Sequence, residues 1–463
     1  MPETLSAQTT TLRRELGVWS AAAIVVGTVI GSGIFLVPKT MVNALGSPEW
    51  VFVVWIFGGL LSLAGALTYA ELSAALPEAG GEYAYLREAY GPLWAFIYGW
   101  TQMWIGKSGS IATLATAFFY YLANFYPKLE GVLFYIPIPI GTGGGPLEVR
   151  YGQLLAMAVI LLLAGVNYFG VRFGGGVQVI LTIVKVALIG AIIAIGLGSP
   201  IASTSNLSTE TAATGGIAGF FAALVAALWA YDGWNNVAMV SSEIKNPERN
   251  LPRALILGTL AVVFIYLLAN AAYFYVLTAS QVGTTDRVAA EMMRRILGDS
   301  GAGAVSLAAM LSIFAALNGS ILTGSRVPYA MARDGMFFRS ISVVHPRWCT
   351  PSNAIVAMCV WSALLVLSGR YEQLFTYVIF STWILYGMAT ASVIVLRRKR
   401  PDLPRPYRTL GYPVVPVVFV LVAIALLAST LRSSPRESLM GIGIILAGLP
   451  FYYHWKRKTG LKR

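Results

Sequence analysis

Charge is scarce in this chain of 463 residues. Asp, Glu, Lys and Arg together make up 11% of it, where a soluble domain usually carries about 25%. Cysteine and histidine are scarcer still, with two of each. Cys349 and Cys359 form no CxxC pair, so neither a disulfide framework nor a structural zinc site is indicated. His345 and His454 are too few and too far apart for a histidine metal centre. No metal and no cofactor are expected. The apolar stretches lack HExxH, GxSxG and paired carboxylates, which argues against a membrane enzyme. A glycine run, GTGGG at 141–145, has neither the preceding strand nor the following Lys-bearing helix of a phosphate cradle. The loops are short and hold no soluble domain, which leaves a sensor without an output module.

Apolar residues, in contrast, are abundant. They make up 57% of the chain, and its mean hydropathy is +0.70. A membrane span needs roughly twenty consecutive apolar residues. Such runs fall at 17–38, 50–75, 92–126, 151–170, 173–198, 215–242, 253–278, 301–331, 352–368, 373–396, 412–431 and 438–455. The expected fold class is therefore an all-α membrane protein of about 12 transmembrane helices. The net charge of +13 would suggest a nucleic-acid partner in a soluble protein. Here the basic residues collect in alternate loops: 22 of the 33 Lys and Arg lie on the side that holds both ends, and nine on the other. That asymmetry marks the first side as cytoplasmic. The partner implied is a lipid bilayer, not nucleic acid. Residues 1–16 are polar and end near Arg13-Arg14, and are read as a retained cytoplasmic tail.

Two spans carry residues that a lipid-crossing helix ordinarily avoids. Span 1 contains GTVIGSGIF at 27–35, and span 6 contains LWAYDGWNN at 228–236. Gly and Ser are poor helix formers beside Ala or Leu. A break inside a membrane is tolerated only where the freed N–H and C=O groups face protein or a cavity. Spans 1 and 6 open the two halves of a possible five-plus-five repeat, and paired interruptions of this kind point to a midplane binding site. A broken helix presents N–H groups at one half-helix end and carbonyls at the other. Gly31, Ser32 and Gly33 suit a carboxylate, while carbonyls around Val29, Trp229 and Asp232 suit an ammonium. A zwitterion fits both poles. The competing reading of Gly27 and Gly31 is close helix packing through small residues.

These motifs, together with YAELSAALPEAGGEYAYLREAYGP (69–92), EIKNPERNLPRA (243–254), NGSILTGSR (318–326) and LRRKRPDLPRPYR (396–408), resemble the amino acid–polyamine–organocation transporters, and within them the L-type amino acid transporters. The resemblance spans nearly the whole chain. It implies a five-plus-five inverted-repeat fold with broken helices 1 and 6. Residues 17–198 (spans 1–5) would form the first repeat and 215–396 (spans 6–10) the second. Residues 412–463 would add spans 11 and 12 and a cytoplasmic tail. It also implies a location in the cell (inner) membrane. Taken together, the two breaks and the resemblance give as substrate-binding residues Val29, Ile30, Gly31, Ser32, Gly33, Trp229, Tyr231, Asp232, Gly233, Asn235 and Trp383, of which the resemblance itself carries Gly31, Ser32, Gly33, Trp229, Asn235 and Trp383. Trp229 would also act as a gate. Residues 127–150 lack the cysteine by which light subunits of heteromeric exchangers bind a heavy subunit, so no disulfide-linked partner is expected.

Three charges within or beside these spans need an account. Lys185 in span 5 lies too deep to reach either surface easily, and a buried ammonium there is costly. By resemblance it stands where sodium-coupled relatives hold sodium, bonding span 1 carbonyls and polar groups of span 8. It is either a fixed strut or a proton carrier. Asp232 either contacts the substrate or caps the second half of span 6. Lys107 in span 3 either borders the side-chain pocket or pairs with a neighbour. The leading function is a sodium-independent transporter, an obligatory exchanger of small or medium neutral L-amino acids working by alternating access. A proton-coupled symporter and a cationic amino acid or polyamine antiporter remain as alternatives.

Overall fold

In lipid the backbone has no partner but itself, so each apolar run closes its hydrogen bonds internally as helix. The computed structural model describes residues 12–137, 146–368 and 371–459; the GTGGG run lies outside them. Span 1 is two helices, α1 (Val18–Val29) and α2 (Gly33–Leu45), followed by α3 (Pro48–Ala75) and a short loop helix, α4 (Glu82–Tyr90). Span 3 is α5 (Pro92–Thr101) and α6 (Lys107–Leu122), joined by one π turn at Gln102–Gly106. Next come α7 (Tyr151–Tyr168) and α8 (Val171–Leu197).

Span 6 is α9 (Gly216–Tyr231) and the single turn α10 (Asn236–Met239), followed by α11 (Pro247–Val276) and α12 (Ala279–Thr284). Helix α13 (Val288–Gly324) turns sharply at Gly298, whose φ of 73° and ψ of −162° are not helical. Its apolar crossing therefore begins close to the expected residue 301. Helices α14 (Arg326–Arg333), α15 (Ser352–Leu365), α16 (Tyr371–Lys399), α17 (Val414–Ser433) and α18 (Pro435–Thr459) complete the chain. Among the described residues, eight helical segments are long and apolar enough to cross a membrane. Helices α9 and α15 are apolar but shorter.

The expected all-α class has one exception. Between α6 and α7, β1 (Val132–Ile136) pairs antiparallel with β2 (Leu147–Arg150), with Ile136 opposite Leu147. Its Val, Phe, Tyr and Ile residues suit a pleated ribbon lying outside the bundle.

The burial pattern inverts that of a soluble protein. Ile180, Ile183, Leu421 and Ile424 are exposed, as a lipid-facing surface requires, while Thr28, Lys107, Lys185 and Asn236 are buried. Charge pairs close the α4 end of the bundle. Arg326 grips Glu243 through two bonds of 2.8 and 3.0 Å, both side chains fully buried. Arg397 holds Glu71 at 2.6 Å, and Arg87 reaches Glu78 at 2.9 Å and Asp334 at 2.8 Å. Removing one member of a buried pair leaves an uncompensated charge, which costs about 3–5 kcal/mol.

Candidate functional site

Helix α1 ends because Ile30 leaves the helical region. Its φ of −72° and ψ of 85° form an inverse γ-turn, closed by Gly31 N–H donating to the Val29 carbonyl at 2.8 Å. The carbonyls of Gly27, Val29 and Ile30, freed by this turn, find donors. The Lys185 ammonium donates to Gly27 O at 2.8 Å and Ile30 O at 2.6 Å, and across to Ser312 O of α13 at 2.8 Å. Ser312 Oγ donates to Ile30 O at 3.0 Å. Lys185 thus ties α8, α1 and α13 together with its charge on three oxygens and no exposure to solvent.

Helix α9 ends at Asp232, where the chain turns extended (φ −61°, ψ 143°) and then left-handed at Gly233, φ 111°. A side chain at Gly233 would be strained there and would press on Thr28. The Thr28 hydroxyl stands 2.6 Å from Ile24 O and 3.0 Å from Gly233 O, within reach of the second break. Tyr266 of α11 bridges the two breaks: its hydroxyl stands 2.9 Å from Val29 O and 2.8 Å from Ala230 O. The segments also touch directly. A Cβ on Gly33 would sit 2.5 Å from Ala230 Cα, so only glycine allows α2 to begin there.

A small cavity lies between the breaks, with room for about one ordered water. Its walls are Val29, Gly31, Ser32 and Gly33 on one side and Trp229, Asp232 and Gly233 on the other, with Thr28, Ser110, Leu114, Asn236 and Ser320 completing them. The first turn of α2 opens onto it, so helix-end N–H groups and their partial positive charge face the space. The N–H of Gly31 is turned away to Val29 O, which removes one of the three expected donors.

Five sequence-expected residues fall outside this wall. Ile30 turns its carbonyl to Lys185, and Lys185 itself stands behind α1. The Tyr231 ring packs between Trp55 and Tyr266, at 5.5 and 5.2 Å, with its hydroxyl on Trp55 O. Trp383 stacks on Phe419 at 5.3 Å. Asn235 donates to Glu82 of α4, and its neighbour Asn236 takes the cavity position, held by Lys107. Successive residues in a helical turn differ by about 100° in direction, so one step separates wall from interior. The capping expectation for Asp232 is also corrected: its carboxylate accepts the Tyr386 hydroxyl at 3.0 Å. Lys107 pairs with a neighbour that itself borders the cavity.

Sequence reasoning missed Ser110, Asn236, Ser320, Tyr266 and Glu82. The first three carried a faint signal, being small polar residues inside apolar spans. Tyr266 looks like any aromatic in a long apolar helix, and Glu82 lies in a polar stretch that reads as exposed loop. Among the described residues, no group of three or more His, Cys, Asp or Glu is placed to hold a metal ion.

The amino acid permease family model matches residues 16–448. The chain is 34% identical over 450 residues to the serine/threonine exchanger of Bacillus subtilis, covering 96% of this chain and 98% of that one. It is 33% identical over 459 residues to the human b(0,+)-type amino acid transporter 1, covering 97% of this chain and 90% of the relative. The mouse Asc-type amino acid transporter 1 is 33% identical over 457 residues, covering 96% and 82%.

Proposed function

The chain belongs to the amino acid permease family, and from that premise we propose that it is a sodium-independent exchanger of small neutral L-amino acids. One observation carries the reading: two interrupted helices face each other across a shared small cavity, which widens on opening to admit an amino acid. A substrate carboxylate would meet the first turn of α2, with the Ser32 hydroxyl beside it. The ammonium would meet carbonyls of the two breaks. Its side chain would extend toward Ser110, Leu114, Asn236 and Ser320. Those groups are short and mostly polar, which favours a substrate bearing a small hydroxylated or aliphatic side chain. The relative named a serine/threonine exchanger agrees with that size class.

Lys185 supports independence from sodium, since a protein ammonium supplies the positive charge that ties α1 to α8 and α13. Transport proceeds by rocking one repeat, 17–198, against the other, 215–396, with Trp229 closing over the bound substrate. Substrate must stabilise the closed form more than the open ones for binding to drive the exchange. Twelve crossings in the cell membrane with both termini cytoplasmic, and no disulfide-linked heavy subunit, complete the reading.

Asp232 in the cavity wall favours a second reading, a cationic amino acid or polyamine antiporter, because a carboxylate there attracts a positive side chain. Reconstituted uptake separates the possibilities. The expected result is that labelled serine, threonine or alanine enters liposomes only when unlabelled substrate is inside, without response to a sodium gradient. Equal uptake into empty liposomes under a proton gradient means a symporter instead. Preference for lysine or putrescine means the antiporter.

A further inference from the structure

Beside the cavity, toward α4, lies a buried carboxyl that binding of a zwitterion does not require. Glu82 begins α4 and is fully inaccessible. One of its oxygens accepts a hydrogen bond from the Asn235 amide, in the chain segment that follows the second break. Its other oxygen, Oε2, has no hydrogen-bond partner among the described residues. Burying an ionised carboxylate with an unsatisfied oxygen is expensive, whereas a neutral carboxyl is tolerated.

The groups around Glu82 come from several helices. Tyr69 of α3, Tyr85 of α4 and Tyr386 of α16 lie near enough to interact with its charge, and the Tyr98 hydroxyl of α5 approaches it without forming a well-aligned hydrogen bond. Lys107 of α6 is the cation in this set, and its ammonium is bonded to Asn236. Asp232, held by Tyr386, brings a second negative charge to the same cluster. Burial raises the affinity of Glu82 for its proton.

We propose that Glu82 is a proton-binding site whose neutral form keeps the contact between α4 and the α10 segment dry and closed, and whose ionisation hydrates and opens it. Asn235, one residue from the cavity wall at Asn236, donates to one carboxyl oxygen in either state and more strongly to the charged one, so the opening comes from Oε2, which has no donor to hold a charge. When Glu82 ionises, its proton passes to water on the α4 side, and the stranded carboxylate draws water in between α4 and α10. On the proposed orientation this is the cytoplasmic exit, so the proton would set how readily substrate leaves inward. The proposal rests on the transport reading for its consequence, though not for the proton site itself.

Two measurements test it. Infrared difference spectra of the purified protein, between mildly acidic and mildly alkaline buffer, should show the loss of a buried protonated carboxyl band that is missing in Glu82→Gln. In proteoliposomes, wild-type exchange should rise severalfold as internal pH rises through that titration, while Glu82→Gln should exchange at a rate independent of pH. An identical band in wild type and variant overturns the proton site. Identical pH profiles overturn its role in the gate. Absence of any amino acid exchange in the wild type, with the band present, defeats the transport reading and leaves the proton site standing. Should Glu82→Gln fail to fold, Asn235→Ala takes its place. Removing the bonded amide must shift the band, and an unmoved band counts against the proposal.

Discussion

The two breaks are built alike and held differently. At the first, side chains from α8, α11 and α13 bind main-chain carbonyls: Lys185 on Gly27 and Ile30, Tyr266 on Val29, Ser312 on Ile30. At the second, several of the ties are between side chains: Asp232 with Tyr386, Asn235 with Glu82, Asn236 with Lys107. A carbonyl pinned by an ammonium cannot leave without stranding a charge in a dry site. A bond between two side chains can be remade through a rotamer change, a proton or a water. On the proposed transport reading, the first break would be the fixed half of the site and the stretch from Asp232 to Asn235 its moving half, with Lys107, a buried charge like Lys185, marking where the movement stops.

That contrast can be broken most forcefully at Lys185. Lys185→Ala strips the Gly27 carbonyl of its side-chain donor, at about 1–3 kcal/mol for a buried group, and unties α8 from Ser312 of α13. Exchange should fall to background while the variant still elutes as a folded protein in detergent. Wild-type uptake would show that the first break needs no anchor.

Gly33→Ala tests the contact between the halves. The added methyl meets Ala230 at 2.5 Å, and overpacking of this kind costs about 1–3 kcal/mol. Substrate affinity should weaken by roughly tenfold or more, read as the half-saturating concentration for exchange. A smaller effect is expected from Tyr266→Phe, which removes the hydroxyl shared by both breaks. A loss of about 1 kcal/mol in thermal stability is expected, and combining it with Thr28→Val should give a non-additive sum because both hydroxyls reach the same two segments.

The smallest change belongs to the moving half. Asp232→Asn keeps an acceptor for the Tyr386 hydroxyl, so neutral substrate exchange should change by less than about threefold. A large loss confined to cationic substrates would move Asp232 from the gate to the recognition of charge.

Much of the architecture was legible because lipid imposes a simple rule on the chain. Apolar runs became helices, and the stretches at Gly31-Ser32 and Asp232-Gly233 became breaks, since glycine and polar residues inside such runs have few other uses. Lys185 stood out for the same reason. What sequence did not resolve was direction. LWAYDGWNN gives no sign that Asn236, and not Asn235, borders the cavity, because the turn between them is set by the left-handed Gly233 and by Lys107 arriving from another helix. Trp383 was chosen by resemblance, yet its helix is apolar nearly all round, so nothing in its pattern says which face meets α17.

Glu82 marks the boundary most clearly. In PEAGGEYAYLRE it sits among charges and glycines, the composition of a solvent-washed loop, and only the packing of α4 against α5 and α16 buries it. Local chemistry alone determined where this chain crosses lipid and where its helices give way, because each depends on the hydrogen bonds of a single segment. Which side chain answers which broken end was decided by the tertiary structure, because a donor and its acceptor more than a hundred residues apart meet only once the helices between them have packed.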